Sequence, residues 1–192
     1  MRRVRQTLDY SLTLMVVLCM PVPFSQAAET IEVQVEHGDG AYHIYFEILI
    51  NAPRNRVYEI LTDYANLQEL SPGIVRSELL SGEAGGDARV DITLKPCVWI
   101  LCKSMHKVST ITINAYGAIV YTTVPEASDF KRGKEQVIVQ ETRQPGQTRV
   151  TYNASLVPDF FVPPLVGSWL MRKHIIRNLE VSNRRVEKLA TP

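Results

Sequence analysis

The chain has 192 residues, of which 45% are hydrophobic and 21% are charged. This length allows one globular domain with a substantial core, and it is short for two domains of ordinary size. The 21 Lys and Arg residues nearly balance the 20 Asp and Glu residues. This balance argues against the basic surface that nucleic-acid binding requires, so we expect no nucleic-acid partner.

The first 27 residues have the three parts of a secretory signal peptide. Three arginines within the first five residues precede an apolar run over residues 12–20, and small residues lead up to Ala27. The run is shorter than the roughly 18 to 20 apolar residues that a membrane-spanning helix needs. We expect residues 1–27 to be removed by cleavage after Ala27, which leaves residues 28–192 as a single periplasmic domain. The alternative is a leader that is kept as a membrane anchor.

Alternating apolar and polar residues then predict a β-hairpin over residues 31–36 and 42–50, with a Gly-Asp-Gly turn between them. Pro53 opens a stretch with helical spacing of apolar residues. A Ser-Pro-Gly sequence at residues 71–73 ends it. We therefore predict a short helical pair after the first strands.

Six more segments alternate and predict antiparallel strands with one apolar face. They cover residues 74–80, 89–95, 108–114, 118–124, 136–141 and 148–156. From residue 165 to 189 Gly167 is the one helix breaker, which predicts a long C-terminal helix. The predicted fold class is α+β, with a curved antiparallel β-sheet wrapped around this helix. A twisted sheet of this kind leaves space for a small ligand between itself and the helix.

Cys97 and Cys102 are the two cysteines that remain once the leader is removed. In an oxidising compartment a lone close pair is more often bridged than free. The four residues between them suit a bridge across the tip of a hairpin. We predict a disulfide between Cys97 and Cys102. We predict no metal site here, because the pair supplies too few ligands.

Several short sequences resemble one known superfamily. They are Ile-Asn-Ala-Pro at 50–53, Val-Tyr-Glu-Ile-Leu-Thr-Asp-Tyr at 57–64, Leu-Ser-Pro-Gly-Ile at 70–74, and Val-Pro-Asp-Phe-Phe-Val-Pro-Pro at 157–164. They resemble the helix-grip (SRPBCC) superfamily of START-type, polyketide cyclase/dehydrase-like and coenzyme Q-binding proteins, and its exported bacterial members in particular. The resemblance covers essentially the whole mature chain. It implies a helix-grip fold and leaves the ligand open, because members include lipid carriers, quinone-binding proteins, cyclases and hormone receptors.

We expect periplasmic binding and transport of a hydrophobic ligand, such as a lipid, an isoprenoid quinone or a sterol-like molecule, without catalysis and without a cofactor. The alternative is a polyketide cyclase or dehydratase that uses the same cavity. That alternative needs an inward-facing acid or base paired to a second polar group. We also expect transient contact with a membrane or a membrane protein. A third class is an accessory protein that binds a membrane complex through residues 160–164 and whose cavity is merely residual.

Aromatic residues are the candidate lining of the ligand space, and the alternative for each is packing in an ordinary core. The candidates are Phe46, Tyr121, Tyr152, Phe161 and Trp169, with Trp169 near the centre. Arg172 follows Trp169 by one helical turn and would clamp a phosphate or carboxylate head group. In the alternative, the aliphatic part of the Arg172 side chain packs against the protein and its guanidinium group reaches solvent.

Asp63, Tyr64 and Asp129 are candidates for positioning a carbonyl group or moving a proton. The alternative is that the two Asp residues cap turns and Tyr64 packs. The four histidines are scattered without the close spacing of metal ligands, and no nucleophile-elbow motif is present. We therefore assign no metal ligand and no catalytic residue.

The leader generates the first testable prediction. Protein recovered from the periplasmic fraction should have the intact mass of a chain that starts close to Ala28, because the small residues before it suit the signal peptidase. Recovery of the full-length chain from the cytoplasm would overturn this prediction.

Overall fold

The structure is a computed structural model that describes residues 29–95, 97–98, 101–162 and 168–190. The predicted leader and the two prolines at positions 163 and 164 lie outside the described residues. Within the described residues the chain forms ten strands and three α-helices. In chain order they are β1 (Glu29–Gly38), β2 (Ala41–Ile50), α1 (Arg54–Leu61), α2 (Leu67–Leu70), β3 (Ile74–Gly82), β4 (Ala88–Leu94), β5 (Cys97–Val98), β6 (Leu101–Cys102), β7 (Met105–Ile113), β8 (Ile119–Thr123), β9 (Phe130–Glu141), β10 (Thr148–Pro158) and α3 (Ser168–Ala190).

Eight of the described strands form one sheet, in which every described pairing is antiparallel. The strand order is β1-β2-β10-β9-β8-β7-β4-β3, so that β1 and β3 are the edges, while β5 and β6 pair separately. The sheet is curved and followed by the long helix α3, which is the helix-grip fold. The predicted α+β class, the helical pair and the C-terminal helix are confirmed.

The strand register gives the sheet a continuous inner face. Phe46 of β2 lies opposite Tyr152 of β10, which lies opposite Val137 of β9. The same row continues through Ile119 of β8 to Ile113 of β7. Directly opposed residues share a face of the sheet, so this row and every second row on either side of it point towards the helices.

The main core lies where the helices meet one end of this inner face. Val57 of α1 and Tyr64, which follows α1, are fully buried against strand residues such as Val90, Ile111 and Ile119. Losing any of these side chains would leave a cavity, which is why large-to-small changes in such cores typically cost about 2 to 5 kcal/mol. This end of the sheet is therefore firmly closed.

Helix α3 packs against β1, β2, α1 and α2. Leu179, Val186 and Ala190 form the apolar part of its buried stripe. Polar contacts hold its C-terminal half, because the Arg185 guanidinium donates a hydrogen bond to the Glu69 carbonyl at 3.0 Å and the Asn51 amide donates to Glu187 at 2.9 Å. Among the described helices, none has both the length and the apolar character needed to cross a membrane.

Several strands begin earlier than the sequence predicts, among them β7, which starts at Met105 rather than at position 108. Strand β9 starts at Phe130 rather than at position 136. Its inward positions before Val137 are Gly133 and Glu135, and neither residue signals a strand with an apolar face. The missed segment carries part of the site described below.

The β5–β6 register places Cys97 directly opposite Cys102. We predict that mature protein prepared without reductant, then denatured and alkylated, will show no reactive thiol. Because the closed loop is short, the disulfide should contribute less than the roughly 3 kcal/mol expected for a loop of 15 residues. Mass spectrometry after alkylation measures the thiols, and two modified cysteines would contradict the prediction.

Candidate ligand-binding site

The inner face of the central strands is not fully covered by α3. Apolar side chains of β2, β9 and β10 that point inward keep part of their surface accessible, although they lie in the middle of the sheet. They are Ile44, Phe46, Val137, Tyr152 and Leu156. An apolar surface that remains open on the inner side of a fold is the usual form of a small-molecule site.

Two pairs of aromatic rings shape this surface. The rings of Phe46 and Tyr152 stack with their centroids 4.7 Å apart and their planes 13° apart. The Tyr121 ring meets the Tyr64 ring edge to face at 6.4 Å. The structure thus brings Phe46, Tyr121 and Tyr152, three of the five predicted aromatic residues, onto the same face.

A buried polar network lies on this face beside the aromatic rings. The Lys107 ammonium of β7 reaches across β8 to form an ion pair and hydrogen bond with Glu135 of β9. The Tyr152 hydroxyl donates a hydrogen bond of 2.6 Å to the other carboxylate oxygen of Glu135. Lys107 is 5% exposed and Glu135 is 6% exposed. Two opposite charges and a phenol are therefore held in a largely apolar surface.

Burial keeps the two phenols of this region protonated. Desolvation first, and then the negative charge of Glu135, raise the pKa of Tyr152 well above its ordinary value. Desolvation likewise raises the pKa of Tyr121, with smaller effects from Tyr64 and Glu135. At physiological pH Tyr152 is therefore a neutral hydrogen-bond donor, and Glu135 is the group that accepts.

Two more hydroxyl groups lie on the same face as the network. Ser109 of β7 and Thr123 of β8 lie directly opposite each other on the inner face, and each hydroxyl is buried without a hydrogen-bond partner among the described residues. Thr123 packs where Gly133 has no side chain, because a Cβ at Gly133 would lie 2.2 Å from Thr123 Oγ1. We define the polar cluster as Lys107, Ser109, Thr123, Glu135 and Tyr152.

Helix α3 contributes one more buried polar side chain. Asn183 lies between Leu179 and Val186 on the buried stripe and is 2% exposed. Neither its amide nitrogen nor its amide oxygen has a hydrogen-bond partner among the described residues. An unpaired buried amide is costly, so this position is a second polar feature of the helix that grips the sheet.

Two predicted lining residues lie on the surface instead. Trp169 is 72% exposed and Phe161 is 80% exposed, so neither side chain reaches the inner face. Around a helix of 3.6 residues per turn Trp169 lies about 80° away from Leu179, which marks the buried stripe. The Lys173 ammonium instead lies over the Trp169 ring, 5.6 Å from the ring centroid. The prediction that Trp169 stands near the centre of the space is not supported by this placement.

Arg172 binds the edge of the sheet. Its Nε donates a hydrogen bond of 2.8 Å to the backbone carbonyl of Val33 in β1. Edge strands present unpaired carbonyl groups, and a guanidinium donor satisfies one of them here. The predicted head-group clamp would have to use the remaining donors of Arg172, whose side chain is exposed.

The three acid–base candidates have structural contacts. The carboxylate of Asp129 accepts a hydrogen bond of 2.7 Å from the His106 amide, and that of Asp63 accepts one of 2.9 Å from the Asn66 side chain. Tyr64 is completely buried, and desolvation raises its pKa to about 12. These contacts favour the alternative in which the Asp residues hold turns and Tyr64 packs.

A groove of about 680 Å³ runs between β1 and α3. Charged side chains account for half of its lining, namely Glu32, Glu36, Arg172 and Glu180. It is open to solvent along the edge strand, so it offers an apolar ligand little cover.

The residues of the polar cluster other than Tyr152 were not among the predicted site residues. Their signal is present in the strand alternation, because Glu135 continues the series of Val139 and Val137 and Lys107 shares the parity of Ile111. Charged residues at inward positions interrupt an apolar pattern, so apolar alternation alone does not identify them as inward-facing.

A curved antiparallel sheet, a C-terminal helix laid against it and a partly open apolar inner face define a helix-grip protein of the START-like class. Comparison of the sequence with protein families confirms this class. The chain belongs to the family described as polyketide cyclase / dehydrase and lipid transport, which matches residues 41–190. No curated protein gives a significant match to the sequence.

Solved structures share the fold at low sequence identity. A STAR-related lipid transfer protein from Xanthomonas axonopodis is 15% identical, with a TM-score of 0.63 over 84% of this chain and 99% of that chain. A START superfamily protein from Mycobacterium smegmatis is 15% identical, with a TM-score of 0.59 over 77% and 96% of the two chains. The Zhui aromatase/cyclase from Streptomyces sp. R1128 is 15% identical, with a TM-score of 0.52 over 78% and 91%. These likenesses establish the fold.

Asn183 generates a prediction about stability. Replacing it in the Asn183→Leu variant removes two unpaired polar groups, and should raise the free energy of unfolding by about 1 to 3 kcal/mol. Urea denaturation measures the change. Asn178→Leu is the matched control on the same helix, because Asn178 is partly exposed and its amide lies 3.1 Å from His174 Nε2. A loss of stability in Asn183→Leu, similar to or larger than that of the control, would contradict the prediction.

Proposed function

We propose that this protein binds a hydrophobic small molecule or lipid between the inner face of the sheet and α3, and that it carries this ligand in the periplasm. The observation that supports the proposal most directly is the set of inward-facing apolar residues that stay partly exposed, including Ile44, Val137 and Leu156. Burying apolar surface releases about 25 cal/mol per Å², so an apolar ligand that covers these side chains gains affinity from them. The START-like fold is consistent with this use.

The periplasmic location of the proposal rests on the predicted leader and cysteine pair. Transport would require transient contact with a membrane or a membrane protein, and exposed aromatic residues such as Trp169 and Phe161 are available for such a contact. A lipid, an isoprenoid quinone or a sterol-like molecule would suit the apolar surface.

A second candidate function is a cyclase or dehydratase reaction in the same space. The observation that favours it is Glu135, an inward-facing carboxylate paired to Lys107 and Tyr152, which is the kind of group that proton transfer to a bound polyketide requires. The family includes cyclases by its description. Binding alone remains our preferred function, because both oxygens of Glu135 are already engaged, one by Lys107 and the other by the Tyr152 hydroxyl.

A space-filling substitution tests the binding function. Val137 lies in the open part of the inner face, so the Val137→Trp variant should fill the ligand space with little effect on the melting temperature. In a tightly packed core the same enlargement would cost about 1 to 3 kcal/mol. Native mass spectrometry and lipid extraction of protein purified from the periplasm should show bound ligand in the parent protein and a loss of at least about tenfold in the variant, as expected from 1.4 kcal/mol or more of lost binding.

Ile138→Trp is the matched control, because residue 138 is the next position of the same strand and points to the opposite face. This control should keep the bound ligand. Equal ligand content in the parent, Val137→Trp and Ile138→Trp proteins would refute the proposed site, and no ligand in any of them would refute the function. Recovery of a chemically altered compound after incubation with an added polyketide would favour the second candidate.

A further inference from the structure

The buried ion pair of Lys107 and Glu135 is not explained by the stability of the fold. Taking two charges out of water carries a large desolvation cost, and apolar residues of similar volume often stabilise a protein as well or better. The pair also lies on the face whose other inward residues are mainly apolar, such as Val137 and Ile119. A charged pair in this position therefore points to a role beyond packing.

The hydrogen-bonding capacity of the polar cluster is uneven. Both oxygens of Glu135 are engaged, one by Lys107 and the other by the Tyr152 hydroxyl. An ammonium group has three N–H donors, and Glu135 is the one acceptor that Lys107 has among the described residues. The hydroxyls of Ser109 and Thr123 add two more groups that have no hydrogen-bond partner within the described ranges. Lys107 is therefore a donor-only group with N–H donors that no described residue accepts, whereas each of the two hydroxyls can donate or accept.

The charge of the cluster limits which ligand groups can accept hydrogen bonds from these donors. Lys107 and Glu135 neutralise each other, so a neutral oxygen atom can accept a hydrogen bond from Lys107 without adding charge to the buried site. A carboxylate at the same place would stand close to Glu135 as a second buried negative charge, which is strongly unfavourable. The same cost applies to a phosphate group.

We propose that the polar cluster anchors a neutral, largely apolar ligand through one hydrogen-bond-accepting oxygen, such as the carbonyl of a ketone or quinone or the oxygen of an alcohol. The ligand oxygen accepts from the Lys107 ammonium and from the Ser109 or Thr123 hydroxyl, while Glu135 and Tyr152 hold Lys107 in place. The rest of the ligand covers the apolar inner face beside the Phe46–Tyr152 stack. This inference rests on the proposed binding function and narrows its ligand class.

Three probes with the same number of carbon atoms test the inference by equilibrium dialysis from cyclodextrin complexes at neutral pH. They are methyl undecyl ketone, tridecanoic acid and tridecane. In the parent protein the ketone should bind about tenfold more tightly than tridecane, as expected for one hydrogen bond from a charged donor. It should also bind more tightly than the acid.

The Lys107→Met/Glu135→Gln double variant should lose the preference for the ketone and keep its affinity for tridecane. Changing both partners avoids leaving one buried charge unpaired. The Lys134→Met variant is the control, because Lys134 is exposed on the outer face of the same strand, and it should behave as the parent does. If the double variant does not fold by circular dichroism, the Ser109→Ala/Thr123→Val variant replaces it and should show a reduced preference for the ketone.

The outcomes separate this inference from the function on which it rests. Equal affinity of the parent for ketone and tridecane, or tightest binding of the acid, would overturn the polar anchor while the hydrophobic binding site stands. A ketone preference that survives in the variants would also overturn it. No binding of any probe by the parent protein would contradict both the anchor and the binding function.

Discussion

The incomplete cover of one apolar face is the constraint from which the rest of the structure follows. Eight antiparallel strands with a single apolar face create more inward surface than one helix can shield. Helix α3 packs at the β1–β2 side and against α1 and α2, and the core closes there. Val137 of β9 and Tyr152 and Leu156 of β10 are left partly open, so the same sheet that builds the core also builds the space for a ligand.

The polar cluster gives this space a chemical character that apolar surface alone lacks. An unpaired polar group in such a place would be costly. The structure satisfies Glu135 twice, while hydroxyl groups such as Ser109 have no partner in the part of the chain that the structure describes. Packing therefore explains the position of Phe46 and Tyr121, but it does not explain the buried charges. The distinction matters for function, because apolar surface provides affinity and oriented polar groups provide selectivity.

Much of the fold could be predicted from the sequence because its signals are local. Alternation over residues such as Val150, Tyr152 and Ala154 is a property of one strand, and the breakers around α1, α2 and α3 lie next to the elements they end. The same strand alternation places Tyr152, Phe46 and Tyr121 on the inner face. Helical spacing also gave a plausible stripe through Trp169, but the angle of a long helix against a curved sheet is set by tertiary packing, which no local pattern encodes.

The polar cluster could not be predicted in the same way. Lys107 and Glu135 are 28 positions apart, and they meet because β8 lies between β7 and β9 in the sheet. On its own, each residue resembles an ordinary charged residue on the solvent-exposed face of a strand. The pairing becomes visible once the register assigns both to the inner face, and register depends on the whole sheet.

The central claim is that ligands bind on the inner face, and methyl NMR of the isotope-labelled protein tests it most directly. Titration with a bacterial lipid extract should shift the methyl signals of Ile44, Val137 and Leu156, which face the open space. The methyl signals of Val75 and Leu80, which are exposed on the edge strand β3, should stay in place. Shifts confined to Val75 and Leu80, with the inner-face signals unchanged, would contradict the account.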